Sequence, residues 1–235
     1  MKKATLILLS VMLFSFTTAF AQKAFIGTVT SKVIIEGTDD PNILSQIPEN
    51  TTTYIYENRT KTVQDLGGAS LAQITNGDAK VSIIFFDIPG LGKYYAEMTE
   101  ADLNKAHEKV ETKYNYTGEM KMIAGYNCEK VIETIIDKET DEETTVTLYV
   151  SKDFCANPAI NFSTHDGLVG YPLRTERKVD MNGTEVTQIL EAVSVTPSKK
   201  VKLAEFLPPT DGKKFDSVEE MFKTLMGTGE EDEDE

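Results

Sequence analysis

Residues 71–88, LAQITNGDAKVSIIFFDI, contain the pattern that decides the fold. Asn76-Gly77 is typical of a tight hairpin turn, because both central residues of such a turn need positive φ. Strands are predicted on either side of it, over residues 71–75 and 80–88. Within the second strand both faces carry apolar side chains, so we expect other parts of the chain to cover both faces.

Other segments of the chain show the same strand pattern. β-branched and aromatic residues in alternation predict strands over residues 24–37, 51–63, 114–122, 127–136, 144–152 and 174–195, the last turning at Asn182-Gly183. Two helices are predicted, one beginning after Thr99 with Asp102 three residues later, the other at Ser217-x-x-Glu220. The predicted fold is therefore α+β: one antiparallel sheet of about ten strands with two helices covering one face.

Composition limits the classes of function. The 235 residues include 38 acidic and 24 basic side chains, a net charge of −14, and 40% are hydrophobic. A chain this apolar can bury a core, and so acidic a chain lacks the clustered Lys and Arg that bind nucleic acid. We expect residues 22–227 to form one domain and residues 228–235, which end in a run of acids, to be a disordered tail.

The N-terminus has the layout of a cleavable secretory signal. Lys2 and Lys3 precede a mostly apolar run, and Ala19-Phe20-Ala21 supplies the small-residue frame before Gln22. Residues 1–21 are therefore predicted to be a signal peptide cleaved between Ala21 and Gln22. The mature chain is expected in the periplasm or outside the cell. Without a cysteine at the cleavage point it is not expected to be a lipoprotein, and no later integral span is predicted.

Cys128 and Cys155 flank two predicted strands and a polar turn, residues 137–143. If the hairpin were centred between Asp141 and Glu142, the two cysteines would stand opposite each other, within reach of a disulfide. An oxidising compartment favours that bond. The alternative is a reactive or metal-binding cysteine, but no His or basic activator is near either residue in sequence.

The sequence offers no convincing catalytic or metal-binding set. His107 is expected on the exposed side of its helix, and Ser163 and His165 on an extended segment do not make a triad. Asp180-x-Asn182-Gly183 begins like a calcium loop but lacks the closing Glu in register. We therefore predict no catalytic residue, no metal and no cofactor.

Residues 121–130, KMIAGYNCEK, resemble the "kkIaGY-x-C-x-k" motif of the bacterial DUF4412 family, whose function is unknown. Residues 147–151, 167–174 and 54–62 resemble its further motifs in the same order, although Leu148 stands where the family usually has Trp. The likeness covers most of residues 24–215. This chain departs from the family in having no Trp anywhere and in its acidic tail.

The resemblance implies an envelope protein of Gram-negative bacteria, chiefly Bacteroidetes. It also implies a LolA/LolB- or LppX-like fold, in which an incomplete (half) β-barrel surrounds an apolar cavity. The leading hypothesis is then a non-enzymatic periplasmic protein that binds or carries a lipid, a lipoprotein acyl chain or another apolar ligand. The alternative is a structural or interaction protein of the cell envelope, with a filled core and a protein partner for its acidic tail; an enzyme is the third.

The apolar stripe of the last helix and the strand with two apolar faces suggest where an apolar ligand would bind. Met is flexible enough to suit a cover over an irregular cavity. The alternative is an ordinary packed helix. The predicted ligand-binding residues are Ile84, Phe86, Met221, Phe222 and Leu225.

Overall fold

A computed structural model describes residues 24–226 except residues 46, 156 and 182. The predicted signal peptide with its cleavage site at Ala21 and Gln22, and the predicted acidic tail, lie outside the described residues. The described elements are β1 (Ile26–Glu36), α1 (Pro41–Leu44), β2 (Asn50–Tyr56), β3 (Arg59–Asp65), β4 (Ser70–Asn76), β5 (Val81–Ile88), β6 (Gly92–Thr99), α2 (Glu100–Glu108), β7 (Val110–Ile123), β8 (Tyr126–Asp137), β9 (Glu143–Ser151), β10 (Tyr171–Met181), β11 (Thr184–Pro197), β12 (Lys213–Phe215) and α3 (Val218–Met226), with 3-10 helices at Pro158–Asn161 and Leu203–Phe206.

The described strands form one open sheet of 12 strands, in the order β12-β6-β5-β4-β3-β2-β1-β11-β10-β9-β8-β7. All neighbours pair antiparallel except β12, which runs parallel to β6. The predicted class, mainly antiparallel β with few helices, is confirmed, and the strand number of about ten is too low. Beyond the predicted ranges given above, the sheet contains β6 and the short β12, and residues 50–65 form two strands around a turn at Glu57 instead of one.

The sheet is strongly curled. β4 and β8 are seven places apart in the strand order, which in a flat sheet is about 34 Å. Yet Ser163 contacts Thr75 on β4 and His165 contacts Glu133 on β8, and residues 163 and 165 can be no more than about 7 Å apart along the chain. The inner face of the sheet must therefore curve around this segment.

Both predicted helix starts are confirmed. The Thr99 backbone N–H and hydroxyl both donate to Asp102, at 2.8 and 2.7 Å, which closes the first turn of α2. The Glu220 N–H donates to the Ser217 hydroxyl at 3.0 Å, which starts α3. The helices do not form a layer over one face: α2 joins β6, near one edge of the sheet, to β7, the other edge, while α3 packs against β6 and β12.

The Asn76-Gly77 turn is not the predicted two-residue turn. Asn76 pairs with Val81, which leaves a four-residue loop, and it is Lys80 rather than Gly77 that has positive φ. A Cβ on Gly77 would lie 1.9 Å from the Ala159 carbonyl oxygen. Glycine is therefore required here by the close approach of another backbone.

Candidate functional site

The larger cavity lies on the inner face of the curled sheet and has a volume of about 530 Å³. Apolar side chains such as Val33, Val146 and Leu190 form part of its wall. Most of the lining side chains are instead neutral and polar, with a hydroxyl or a carboxamide: Thr53, Thr60, Thr62, Gln64, Gln73, Thr75, Asn161, Ser163, Thr164, Thr175 and Gln188. They come from strands β2–β4, β10 and β11 and from the connection between β9 and β10.

That connection, residues 157–170, crosses the inner face, and we call it the strap. Asn157 at its start donates to the side chain of Asn58 at 2.8 Å. Its middle contains Ser163, whose hydroxyl shares a hydrogen bond with Thr75 at 2.8 Å and accepts one from Gln73 at 3.3 Å. Leu168, fully buried, packs against β8 and β9 near its end. The strap thus joins strands from both halves of the sheet.

Asn161 keeps the strap folded. Its side-chain amide donates to the carbonyl oxygens of Leu168 at 2.9 Å and Gly170 at 2.6 Å, and the residue is only 2% exposed. A single carboxamide therefore closes the loop on itself inside the core. This fixes the positions of Ser163 and His165, which lie between the bonded ends.

Glu133 on β8 is a buried carboxylate, 2% exposed. His165 Nδ1 lies 2.9 and 3.1 Å from its two oxygens, and the Tyr114 hydroxyl donates to it at 3.0 Å. Burial raises the pKa of Tyr114 well above its usual range, and the adjacent Glu133 charge raises it further. Tyr114 therefore stays a neutral donor, and Glu133 has partners for its charge.

A second cavity of about 300 Å³ lies on the other side of this group. Both histidines line it, together with Tyr114, Glu133 and Asp166. His107, predicted to be simply exposed on α2, is in fact half-buried in this wall. Glu133 and His165 line both cavities and so stand between them.

The predicted ligand-binding residues come together but do not line the larger cavity. Met221 is fully buried and clusters with Ile84, Phe86 and Leu225. The Phe222 ring meets the Phe86 ring edge-on, with centroids 5.4 Å apart. These contacts are those of an ordinary packed helix, and none of the five residues lines either the larger or the second cavity, so their ligand-binding role stays a prediction.

Cys128 and Cys155 are both free and buried in one core cluster. The predicted register of this hairpin is wrong: Glu129 pairs with Val150, so Cys128 stands level with Ser151, four residues before Cys155. The turn is shifted because Asp137 accepts hydrogen bonds from the backbone N–H groups of Glu139 and Thr140, at 2.8 and 2.9 Å. The structure does not contain the disulfide, which stays a prediction.

The remaining sequence motifs can also be located in the structure. Ser163 and His165 both line the larger cavity, but each is bonded to a separate group, so they make no Ser–His pair. Asp180 accepts from the Gly183 N–H at 2.9 Å, which is a hairpin turn; Asn182 lies outside the described residues. Within residues 24–226 as described, no three His, Cys, Asp or Glu residues are grouped closely enough to hold a metal ion.

Comparison with known proteins gives a fold likeness only. No family model matches the chain, and no curated protein matches it. Two solved structures of PNGF-II superpose with TM-scores of 0.55 and 0.56, at 16% and 15% sequence identity, over 87% of this chain. This chain spans about a third of the length of PNGF-II (34% and 33%).

A hypothetical lipoprotein, YmcC from Escherichia coli (K12), is a more distant match. It has a TM-score of 0.32 and 11% identity over 73% of this chain and 86% of that one. Among the described residues, no helix is long and apolar enough to cross a membrane.

Proposed function

We propose that this chain is a non-enzymatic binding protein that holds a small polar molecule in the larger cavity. The observation that carries the proposal is a cavity of about 530 Å³, which falls in the size range of small-molecule sites, about 300–1,000 Å³. The strap and the curled sheet build its wall from hydroxyl and carboxamide groups on several elements. Such convergent polar groups are what fix the orientation of a bound molecule.

The polar lining favours a polar ligand over a lipid or acyl chain. An acyl chain bound here would displace water from the hydroxyls of Thr60 and Thr175 and from the amide of Gln64, and it could not form hydrogen bonds to these groups in place of the water. Each such loss costs roughly 1–3 kcal/mol. The apolar clusters that could suit an acyl chain, such as the one around Met221, are already packed.

The proposal also covers the cellular compartment and the protein family. We propose an exported protein of the periplasm or cell exterior, a member of the DUF4412 family, with a half-barrel of the LolA-like kind. A curled, open sheet around a cavity supports the half-barrel description. The signal-like N-terminus supports export.

One observation favours the alternative, a structural or interaction protein. The strap already places Ile160, Phe162 and Leu168 as buried side chains among the core of the sheet. If the strap serves only to fill the concave face, the protein holds no ligand. The two functions therefore differ in whether the cavity is occupied in the cell.

Native mass spectrometry of protein isolated from its own cells tests the proposal. We expect an added mass that disappears when the same protein is unfolded and refolded, which serves as the matched control. A bare protein mass before and after refolding, together with no rise in melting temperature on adding small polar molecules, would favour the structural alternative.

A further inference from the structure

We infer that the ligand of the larger cavity is a neutral, multiply hydroxylated molecule: a saccharide. This inference rests on the proposed function and narrows it to one chemical class. It follows from which polar groups line the cavity, which of them are already paired, and how few carry a charge.

The neutral lining groups match the hydroxyl groups of a sugar. A Thr or Ser hydroxyl and a Gln carboxamide can each donate and accept hydrogen bonds, as a sugar hydroxyl does. They lie on facing parts of the wall, with Thr60 and Gln64 on β3, and Thr175 on β10. A molecule with hydroxyls around its whole rim could bond to several of them at once.

The charged lining groups are already engaged. Glu133 has His165 and Tyr114 as partners. Arg177 is exposed, and its Nε donates to the Gln188 side chain at 2.9 Å. Arg177 has no carboxylate partner but is exposed to water, and Glu133, the one carboxylate among the described lining residues, is already paired. The lining therefore presents no buried, unpaired charge to a phosphate, a carboxylate or an amine, which disfavours charged ligands.

Several neutral groups, in contrast, have no side-chain partner. No side-chain hydrogen bond is formed by Thr60, Gln64 or Thr175 within the described part of the chain. Near them, the Thr51 hydroxyl is buried without any hydrogen-bond partner, although the residue is only 2% exposed. Thr51 pairs with Gln64 across β2 and β3. Thr51 does not itself line the cavity, but Thr60, Gln64 and Thr175 do, and these three side chains are only half-buried, so their hydroxyl and amide groups are available to a bound molecule.

A titration panel with matched ligands tests the inference. The full chain is titrated with neutral mono-, di- and trisaccharides, with the phosphate and uronate of the same sugars, and with palmitate. A longer polysaccharide ending in the same sugar distinguishes a free saccharide from the end of a larger glycan. We expect the neutral forms to bind at least tenfold more tightly than their charged analogues.

Variants of the lining residues test whether the ligand binds in the larger cavity. Thr60→Val and Thr175→Val each remove one unpaired lining hydroxyl while keeping the side-chain shape, and we expect each to weaken binding about 2- to 10-fold. Thr52→Val is the matched control, because Thr52 alternates with the inward-facing Thr51 and Thr53 on β2 and is absent from the lining. Binding by the control variant should be unchanged.

The outcomes separate the inference from the proposed function. Preferred binding of a phosphate, a uronate or palmitate, or equal loss in the Thr52 variant, would overturn the saccharide inference and leave a binding protein. If no panel member binds and the protein from its own cells has a bare mass, both fail.

Discussion

Gly77 and Ala159 meet backbone to backbone: a Cβ on Gly77 would lie 1.9 Å from the Ala159 carbonyl oxygen and 2.6 Å from its carbon. This contact presses the start of the strap onto the loop between β4 and β5. Lys80 in the same loop places its ammonium 4.3 Å from the centre of the Phe162 ring. The strap therefore packs against the loop between β4 and β5, and at Gly77 this contact leaves no room for a side chain.

Gly77→Ala should destabilise the protein by roughly 1–3 kcal/mol, because the added methyl forces two backbones apart. Urea unfolding measures the change. Ala79→Ser, an exposed position in the same loop, is the control and should be close to neutral. A Gly77→Ala variant as stable as the wild type would mean that the strap does not rest on this loop.

His165→Ala should cost roughly 3 kcal/mol or more, because it leaves Glu133, 2% exposed, with a buried charge and only Tyr114 as a partner. His107→Ala removes the other histidine of the second cavity, which has no side-chain hydrogen bond among the described residues, and should cost much less. Both are measured by urea unfolding at neutral pH. Equal losses in the two variants would contradict the role given to the His165–Glu133 contact.

Thr51→Val and Thr75→Val should change stability in opposite directions when no ligand is present. The Thr51 hydroxyl is buried and unpaired, so its removal should stabilise the protein by up to about 1–2 kcal/mol. The Thr75 hydroxyl is equally buried but bonded to Ser163 at 2.8 Å, so its removal should destabilise by roughly 1 kcal/mol. The melting temperatures of the two variants give the comparison; destabilisation by Thr51→Val would show that its hydroxyl has a bound partner.

Met221→Ala should cost about 2–5 kcal/mol, because Met221 is fully buried in the cluster under α3. Binding in the larger cavity should not change. Lys223→Ala, on the exposed side of the same helix, is the control. Loss of ligand binding with little loss of stability would instead support the prediction that α3 covers a bound ligand.

The thiols of the reduced protein should react slowly with iodoacetamide. Burial raises the pKa of Cys128 from 9.0 to about 11 and also raises that of Cys155. Only the thiolate reacts, so in Cys155→Ala the rate of Cys128 labelling should rise about tenfold per pH unit up to a pH of about 11. The unfolded chain loses this proton first, so the same shift lowers stability as pH rises from 9.0 towards about 11.

Mass measurement after thiol labelling tests the predicted disulfide. Protein isolated from its own cells without reductant is unfolded and labelled, and its mass is measured. No added label would confirm the bond, since both cysteines lie in one core cluster. Two labels would show that the free thiols persist in the cell.

Local chemistry made the strands and helix starts predictable. Thr99 with Asp102, and Ser217 with Glu220, each satisfy a helix N-terminus over three residues, and both motifs form as the sequence indicates. Strand alternation in residues 51–63 was also visible, but its inward-facing Thr residues gave no sign of which face would enclose a cavity. The alternation fixes two faces and does not say which is buried.

The site itself depends on long-range pairing. Glu133 and His165 are 32 residues apart in sequence, and Gln73 and Ser163 are 90 apart. Their meeting requires the curl of the whole sheet and the path of the strap. Gly77 shows the same limit: next to Asn76 it looks like a turn residue, and the reason for its glycine, Ala159, is more than 80 positions away.

The strand order also has a consequence for how the chain reaches this structure. Strands β1 to β6 form one meander, in which strands consecutive in sequence are paired, and strands β7 to β11 form a second. Each meander can form one hairpin at a time. The pairing of β1 with β11 joins the meanders, and β12 then pairs with β6 at the far edge. Those pairings span most of the chain, so closing them carries the largest loop entropy and should be the slow step of folding. Until it is complete, β1 presents an unpaired edge of 11 residues, at which a second unfinished molecule could add its own β11 and produce a strand-exchanged dimer.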